Sequence, residues 1–360
     1  MKLFINARFL TQPISGVQRY AIECSRQIKE LYPECVFLTP HDIYNTDVAK
    51  ELGAVVVGKN TGHKWEQWDL SLYMWKQKSA PLLNLANTAP VLYGNNYIVI
   101  HDLAFFHHPE WNTKSFSTWY NILIPRIAMN SRHVFTVSNT IKNELINHYK
   151  LPPAKISVTY NGLSGIFLKE NDAFDSEKEK IILSVGTFNM RKNQDKLIKG
   201  FLESEVSNDY KLVLIGDKNK VFADVGLNEQ NLKSSNIKVY GNVTDAELVG
   251  FYREAEVIVS LSEYEGFGIP ILEGLKFGCK VLCSDIPVYK ELFGEQATFC
   301  DQKDIKNIAA KLQEVVHQPR MSDKESIDQL LEKYNYKRAA EMMVGAVRHS
   351  FSGSRKGGKD

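Results

Sequence analysis

Short runs of aliphatic and β-branched residues alternate along the chain with longer segments in which apolar positions recur at helical spacing. The first run is Lys2–Asn6, and the segment after it is apolar at residues 17, 20, 21, 24, 28 and 31, which share one helical face. Repetition of strand and helix predicts parallel sheets with helices on both faces. The first half has further predicted strands at 97–100, 134–137 and 155–160 and a long predicted helix at 115–130.

The second half of the chain repeats this pattern. Thr244 and Glu247 have the spacing of a capping box, which predicts that a helix begins after Thr244. Ser138 has the residue type of a helix N-cap, and Gly278 follows a predicted helix, where a left-handed residue is needed. The strands predicted in this half are residues 181–185, 211–215, 237–240, 257–261 and 280–283.

The boundary between the two halves is predicted within residues 161–180. Asn161-Gly162 is a turn signal, and Lys169–Lys180 is charged and weakly apolar. The predicted fold class is α/β, with two doubly wound, Rossmann-like domains at residues 1–163 and 164–336. In folds of this kind, ligands bind beyond the carboxyl ends of the strands, so a cleft between the two sets of strand ends is expected.

The composition is that of an ordinary globular protein. Of 360 residues, 44% are hydrophobic and 24% charged, and 44 basic residues against 42 acidic ones give a net charge of +2. This argues against disorder for most of the chain and against bulk nucleic-acid binding. No apolar run approaches the ~20 residues of a membrane-spanning helix, and no secretory signal is expected. The five cysteines lack zinc spacing and are predicted to be reduced packing residues in a cytosolic protein.

The first candidate site is the loop Glu263–Gly268, which lies between a predicted buried strand and a helix. Gly266 and Gly268 allow the backbone to approach a ligand, and the helix start offers amides and a positive dipole end suited to a diphosphate. Glu265 and Glu273, with seven residues between them, are then acceptors for sugar hydroxyls. Either glutamate alone is more simply a loop or surface residue, but together in this context they favour a functional site.

A second candidate site is the segment from Gly186 and Thr187 to the adjacent cations Arg191 and Lys192. It is again a strand that runs into a loop before a helix. The guanidinium fork and the lysine point charge suit a leaving diphosphate, whereas the alternative is a solvated basic pair. The position at the carboxyl end of a strand favours the functional interpretation.

Two further candidates lie in the first half. His101 follows the predicted strand 97–100, and Asp102 is positioned to fix its tautomer, although a core histidine bonded to the backbone fits equally well. Gly16 opens the first predicted helix, whose amino end can meet phosphate or sugar, and a simple turn glycine is the alternative. The chain has no Asp-x-Asp pair, so no metal is expected, and no G-x-G-x-x-G, so a dinucleotide-binding oxidoreductase lacks its main support.

Together these motifs resemble the retaining glycosyltransferases of family four, which have the two-domain GT-B fold. The specific element is E-x7-E at Glu265–Glu273, which continues into Gly278–Pro287. Val185–Thr187 with Arg191–Asn193 is similar to the family's phosphate loop, and His101–Phe105 is similar to a motif of its N-terminal domain. The resemblance covers nearly the whole chain that is expected to be ordered.

The resemblance implies metal-independent transfer of a hexose, with retained configuration, from a GDP- or UDP-linked donor, and no cofactor. Glu273 would hold the ribose, Glu265 would contact the donor hexose, and His101 would lie beside that sugar. Arg191 and Lys192 would neutralise the departing diphosphate. The other residues implied to surround the donor are Gly16, Gly186, Thr187, Val239, Gly241, Gly266, Phe267 and Gly268.

The resemblance also assigns roles to the domains. Residues 1–163 would bind the acceptor and residues 164–336 the nucleotide sugar, and a helix at 337–349 would pack back on the N-terminal domain. The Gly/Ser/Lys-rich tail at 350–360 is predicted to be disordered. Thr187 stands where some members carry arginine, and Tyr336 stands where the family commonly has tryptophan.

The sequence resembles bacterial polysaccharide and O-antigen mannosyltransferases overall, and this resemblance favours GDP-mannose as donor. The expected acceptor is an oligosaccharide or lipid-linked saccharide, so the expected location is cytoplasmic, with peripheral contact to the inner membrane face. Aromatic residues at 65–75 and 111–120 would stack on sugars, rest in a membrane interface or pack in the core. Basic residues considered for membrane contact are Lys2, Arg8, Arg19, Arg26 and Lys29.

Two other interpretations stay open. A non-catalytic, sugar-nucleotide-binding subunit of a glycan-assembly complex would keep the fold and Glu273 but turn nothing over. The combined presence of Glu265, Arg191, Lys192 and His101 counts against that interpretation. A glycan phosphorylase or sugar-nucleotide epimerase on the same fold is disfavoured, because phosphorylases need a cofactor lysine and a much longer chain.

Overall fold

The computed structural model describes residues 2–78, 80–170, 174–175, 177–216, 236–241 and 243–354. The chain forms two compact units. It passes from the first unit to the second between Gly162 and Leu163 and returns to the first between Lys333 and Tyr334. The sequence predicts that the first domain ends at residue 163 and the second at residue 336.

The first unit contains a seven-stranded sheet in which every pair of neighbouring strands is parallel. The strand order is β3-β2-β1-β4-β5-β6-β7, so the chain leaves β1 towards one edge and returns to its other side at β4. The strands are β1 (Phe4–Asn6), β2 (Val36–Thr39), β3 (Val55–Val56), β4 (Leu82–Asn84), β5 (Asn96–Ile100), β6 (His133–Thr136) and β7 (Ile156–Val158).

Helices pack against this sheet. One of them, Tyr336–Ser354, comes from the C-terminal end of the chain. That helix packs against α1, and the buried rings of Tyr20 and Tyr336 meet edge to face at 5.8 Å. The α-helices up to the boundary are α1 (Gly16–Leu31), α2 (Thr46–Leu52), α3 (Gly62–Lys64), α4 (Ser71–Lys76), α5 (Ala104–His107), α6 (Lys114–Asn130) and α7 (Asn139–Tyr149). A π-helical turn, Trp65–Leu70, joins α3 to α4, and short 3₁₀ turns lie at Arg8–Thr11, Pro109–Trp111 and Pro153–Lys155.

The second unit contains a six-stranded parallel sheet in the order β10-β9-β8-β11-β12-β13. Its strands are β8 (Glu179–Val185), β9 (Lys211–Ile215), β10 (Ile237–Tyr240), β11 (Ala255–Ser260), β12 (Lys280–Ser284) and β13 (Ala297–Cys300). The remaining described α-helices are α8 (Gly165–Leu168), α9 (Gln194–Glu203), α10 (Asp245–Glu254), α11 (Ile269–Lys276), α12 (Pro287–Phe293), α13 (Ile305–His317), α14 (Lys324–Lys333) and α15 (Tyr336–Ser354), with 3₁₀ turns at Met190–Lys192 and Glu205–Asn208.

Several local predictions are confirmed. The Thr244 hydroxyl accepts the Glu247 amide, and the Glu247 carboxylate accepts the Thr244 amide at 2.8 Å, which completes the capping box of α10. Ser138 caps α7 through the amide of Ile141. Gly278 follows α11 with φ +72°, the left-handed conformation expected there.

We expect Thr244→Ala to lower the free energy of unfolding by about 1 kcal/mol, because it removes the side chain that satisfies an orphan amide of α10. Thr61 offers a matched control, since it precedes α3 but makes no capping hydrogen bond through its side chain. Urea titrations of Thr244→Ala and Thr61→Ala measure the two effects. Equal losses in the two variants would contradict the assigned cap.

Other features differ from the predictions. The short strands β2, β3, β4 and β13 were not predicted from the sequence. The last helix continues through residues 350–354, which were predicted as disordered tail, and the Ser350 hydroxyl bonds the carbonyl of Ala346 one turn back. Residues 355–360 of that predicted tail lie outside the described residues.

Two findings bear on expectations from composition. All five cysteines are unpaired, and four of them are buried. Among the helices that the structure describes, none combines the length and the apolar character needed to cross a membrane.

Candidate functional site

The candidate site of the second unit lies where its strand order reverses. Strands β8 and β11 are neighbours in the middle of the sheet, and the chain reaches β11 only after running out through β9 and β10. Open parallel sheets bind ligands beyond the carboxyl ends of the strands at such a point. The loop after β8 carries Arg191 and Lys192, and the loop after β11 carries Glu265.

Main-chain and side-chain hydrogen bonds hold these two loops together. The amide of Glu263 donates to the carbonyl of Arg191 at 2.9 Å, and the side-chain amide of Asn193 donates to the carbonyl of Leu261, also at 2.9 Å. Asn193 itself has φ +50°, a conformation that asparagine tolerates better than most residues. The relative positions of the cations and the glutamate are therefore set by the backbone.

Lys192, Arg191 and Glu265 form a charge cluster in this place. Lys192 Nζ lies 2.5 Å and Arg191 Nη2 lies 4.0 Å from Glu265 Oε1. The Glu265 side chain is only 12% exposed, against 16% for Lys192 and 24% for Arg191. Burial raises the pKa of Glu265, but the two cations and the hydrogen bond from Lys192 outweigh it and lower the pKa to about 2. Glu265 is therefore a carboxylate at neutral pH.

The helix that follows Glu265 begins on a constrained glycine. Gly268 has φ +115°, and a Cβ built on it would lie 2.7 Å from the Tyr289 ring, so a side chain has neither the conformation nor the space that it needs. Helix α11 then starts at Ile269, and the first amides of any helix lack intrahelical partners. Those amides and the helix dipole add positive potential beside the cations.

Phe267 contributes to this site differently from the expectation. Its side chain is 3% exposed and packs edge to face against Phe293, so it anchors the loop in the core. Gly266 is also buried. Within Gly266–Gly268, only the backbone can therefore contact a ligand, because the Phe267 side chain is packed in the core.

Glu273 lies on the buried face of α11, so the alternative that it is a surface residue is wrong. It is 4% exposed, and the Tyr252 hydroxyl donates to its Oε2 at 2.6 Å. Tyr252 lies on α10, is fully buried and stacks on Phe277 with an interplanar angle of 12°. Sequence analysis missed Tyr252, because 21 residues separate it from Glu273 and no spacing rule links the two.

The remaining donor-site candidates of this unit are backbone positions at strand ends. Gly186 follows β8 with φ +155°, and its amide donates to the Ile215 carbonyl of β9. Thr187 Oγ1 accepts a hydrogen bond from Asn189 at 3.1 Å. Val239 pairs with Leu214 within the sheet, and its side chain packs on the core; Gly241 follows the end of β10.

His101 and Gly16 belong to the first unit. His101 is 5% exposed, and its Nε2 donates to the Leu85 carbonyl at 2.9 Å. Because a carbonyl oxygen only accepts, the Leu85 carbonyl fixes the tautomer with the proton on Nε2; the Asp102 carboxylate accepts the amide of Ala104. Burial lowers the pKa of His101, opposed by the Leu85 carbonyl and Asp102, so the ring is neutral at pH 7. Gly16 is exposed as the first residue of α1.

Family models match both units of the chain. Residues 14–164 match the model described as glycosyltransferase family 4, and residues 168–337 match the model described as glycosyl transferases group 1. The chain belongs to the family-four glycosyltransferases. The two matches confirm the family resemblance that was inferred for this glycosyltransferase from its motifs.

Relatives of this glycosyltransferase include two O-antigen enzymes. The O-antigen chain mannosyltransferase RfbU of Salmonella typhimurium is 25% identical over 316 residues, which cover 87% of this chain and 86% of the relative. The O-antigen chain mannosyltransferase B of Escherichia coli is 27% identical over 224 residues, 59% of this chain and 58% of the relative.

The glycosyltransferase has the GT-B fold. A solved structure, the sucrose-phosphate synthase of Thermosynechococcus elongatus, superposes with a TM-score of 0.74 at 15% identity and covers 98% of this chain and 99% of its own. In the described part of the glycosyltransferase, no three His, Cys, Asp or Glu side chains gather in a way that could hold a metal ion.

Proposed function

We propose that this glycosyltransferase transfers mannose from GDP-mannose, with retained configuration and without a metal ion, to a saccharide or lipid-linked saccharide acceptor during surface polysaccharide synthesis. The observation that carries the proposal is the cluster of Lys192, Arg191 and Glu265 at the switch point of the second unit. The O-antigen mannosyltransferases among its relatives support mannose as the sugar.

The cluster suits departure of a nucleoside diphosphate. Negative charge grows on the leaving diphosphate in the transition state, and preorganised cations stabilise it most where water is largely excluded. Lys192 and Arg191 supply two positive charges on partly buried side chains, and the start of α11 adds its dipole. Two fixed cations thus do the work that a divalent metal does in other phosphate sites, which is why we propose metal independence.

Glu265 and Glu273 suit recognition of the donor. Glu265 is ionised at neutral pH and accepts hydrogen bonds from hexose hydroxyls, while it also fixes the Lys192 ammonium. Glu273, held by the Tyr252 hydroxyl, is the proposed acceptor for ribose hydroxyls. The neutral His101 ring, with Nε2 committed to Leu85, has Nδ1 as its remaining polar atom and is proposed to line the sugar pocket.

The anomeric configuration is retained when the acceptor attacks the same face of the sugar from which the diphosphate departs. In the proposed step, the bond from the sugar C1 to the phosphate oxygen breaks, and the acceptor oxygen bonds to C1 on that face. The acceptor proton passes to the leaving phosphate oxygen, so this step needs no protein nucleophile. Early NMR spectra of the product distinguish a retained α-mannosyl anomer from an inverted one.

A lipid-linked acceptor places the enzyme at the cytoplasmic face of a membrane, and this location is part of the proposal. Two of the five basic residues first considered for that contact are engaged within the protein. Arg8 is 9% exposed and paired with Glu66, and Arg26 is paired with Glu23 and Glu51. Trp65 is core, whereas Trp68 is 62% exposed.

GDP-mannose at ~100 times its dissociation constant is expected to raise the free energy of unfolding by roughly 2.7 kcal/mol. EDTA is expected to leave this stabilisation unchanged, because Lys192 and Arg191 carry the positive charge. Thermal shift with GDP-mannose, UDP-glucose, ADP-glucose and a CMP-sugar measures the effect, and free mannose serves as the control.

The outcomes separate the proposal from its alternative. Stabilisation by GDP-mannose together with release of GDP in the presence of saccharide supports the transferase. Stabilisation without nucleotide release from any donor identifies a non-catalytic binding subunit. Loss of the shift in EDTA contradicts metal independence.

A further inference from the structure

A buried polar cluster in the first unit has no part in the steps proposed above. Its centre is an ion pair between Arg8 and Glu66, whose side chains are 10% and 1% exposed. Buried charges are rare and need specific partners, so their placement calls for a reason beyond stability. We call this group the Arg8–Glu66 cluster; its other members are Asn6, His63, Asn84 and Thr88.

The Arg8–Glu66 cluster lies at the switch point of the first sheet. Asn6 is the last residue of β1 and Asn84 the last residue of β4, and the two are register partners on adjacent strands. The strand order reverses between these two strands, as it does between β8 and β11 in the second unit. Ligands of open parallel sheets bind beyond the strand ends at this point, so the cluster occupies the place in its own sheet that Lys192 and Glu265 occupy in the other.

Hydrogen bonds converge on one oxygen of Glu66. Its Oε1 accepts Asn6 Nδ2 at 2.8 Å, Thr88 Oγ1 at 3.0 Å and Arg8 Nε at 3.2 Å. Arg8 Nη2 donates in turn to Thr88 Oγ1 at 2.7 Å. Burial raises the pKa of Glu66, but Arg8, His63 and Asn6 lower it to about 2. An ionised carboxylate therefore fixes the plane of the Arg8 guanidinium.

Glu66 lies on an unusual backbone. The π-helical turn Trp65–Leu70 interrupts an otherwise α-helical stretch, and π turns of this kind are frequent at functional sites. The turn is anchored by Trp65, which is fully buried and whose indole donates to the Val57 carbonyl at 2.6 Å. This backbone feature points to ligand binding independently of the hydrogen bonds around Glu66.

The rim of the cluster carries an imidazole and an aromatic ring. His63 is 36% exposed, lies 3.4 Å from Glu66 Oε2 and meets the half-buried Tyr120 ring edge to face at 5.9 Å. A guanidinium has five N–H groups. Glu66, Thr88 and Tyr120 together accept fewer than five hydrogen bonds from Arg8. Because Arg8 and Glu66 cancel in charge, the rim suits neutral hydroxyls beside an aromatic ring rather than a diphosphate.

We propose that the Arg8–Glu66 cluster binds a neutral pyranose ring of the acceptor, with Arg8 as the hydroxyl-binding residue and Glu66 as its positioning residue. The proposal rests on the proposed function, since a transferase needs an acceptor site besides its donor site. It assigns that site to particular side chains of the first unit.

The test is saturation-transfer NMR of the full chain with the methyl pyranosides of glucose, galactose, mannose and N-acetylglucosamine. Arg8→Lys keeps a positive charge for Glu66 but loses the planar fork, so we expect it to weaken pyranoside binding by about tenfold. Arg26→Lys is the matched control, because Arg26 lies on α1 of the same unit and is also paired with a carboxylate, that of Glu51, at 2.7 and 2.8 Å. That variant is expected to bind as the wild type does.

A second variant guards against misfolding. Arg8→Met with Glu66→Gln removes both charges together and leaves no buried charge unpaired. We expect it to keep the melting temperature and the GDP-mannose thermal shift of the wild type and to lose pyranoside binding. A merely structural cluster would lower the melting temperature and leave the binding intact.

Three results would overturn the proposal. They are no pyranoside binding by the wild type, equal binding by wild type and Arg8→Lys, and loss of the GDP-mannose shift together with pyranoside binding. Failure of the proposed function has a different signature. In that case no GDP is released from GDP-mannose, while pyranoside binding persists in the wild type and still depends on Arg8.

Discussion

Replacement of Lys192 by alanine is expected to lower kcat for sugar transfer by about 10²–10³-fold, the cost of removing one preorganised donor from a developing anion. The Lys192 side chain is 16% exposed and its ammonium is fixed by Glu265 at 2.5 Å, so the charge is already in place when the diphosphate leaves. Arg191 remains in the variant but lies farther from the carboxylate, at 4.0 Å. Steady-state release of GDP from GDP-mannose measures the loss.

Lys196 provides a matched control for this variant. It follows Lys192 by four residues, lies on α9 and pairs with Glu263 at 3.3 Å, and those side chains are 27% and 22% exposed. Ion pairs with this much exposure contribute about 0–1 kcal/mol, so Lys196→Ala should change stability little. Lys192→Ala removes a cation from the less exposed Glu265 and is expected to cost more stability, so kcat is compared for protein that is folded in both variants. Equal kcat values for the two variants would remove Lys192 from the proposed chemistry.

The elements that position this site could be predicted from the sequence because their signals are local. Buried strands in the second unit are continuous aliphatic runs, and the structure has β9 and β10 at the predicted bounds. The capping box and the glycine after α11 depend on residues at most four apart. Short strands gave no such signal, and Val55–Val56 is two exposed residues long.

Long-range contacts account for what the sequence could not predict. Arg8 was counted among surface charges because its partner Glu66 is 58 residues away and becomes a neighbour only through the packing of a helix on the sheet. For the same reason, the sequence could not predict that Tyr252 bonds Glu273 or that Leu85 bonds His101. A sequence identifies residue types that suit a reaction. It does not show which side-chain atoms already have hydrogen-bond partners within the protein, because those partners come from tertiary contacts.

Gly268→Ala is expected to have the largest effect on stability, a loss of about 2–5 kcal/mol in the free energy of unfolding. Two independent costs add. An L-residue is disfavoured at φ +115°, and the new Cβ would lie 2.7 Å from the Tyr289 ring and 3.2 Å from the Phe293 ring. Tyr289 is fully buried and hydrogen-bonded to Ser260, so it has little freedom to move away.

The control for this variant is Gly250→Ala. Gly250 lies within α10, has nothing within 4 Å of a built Cβ, and should gain about 0.5–1 kcal/mol from the better helix former. Chemical denaturation of both variants measures the two signs, and the GDP-mannose thermal shift of Gly268→Ala reports whether the start of α11 still binds the donor. If Gly268→Ala were as stable as the wild type, the loop would have to relax around a side chain. The backbone of Gly266–Gly268 would then not be the fixed element on which the proposed diphosphate site depends.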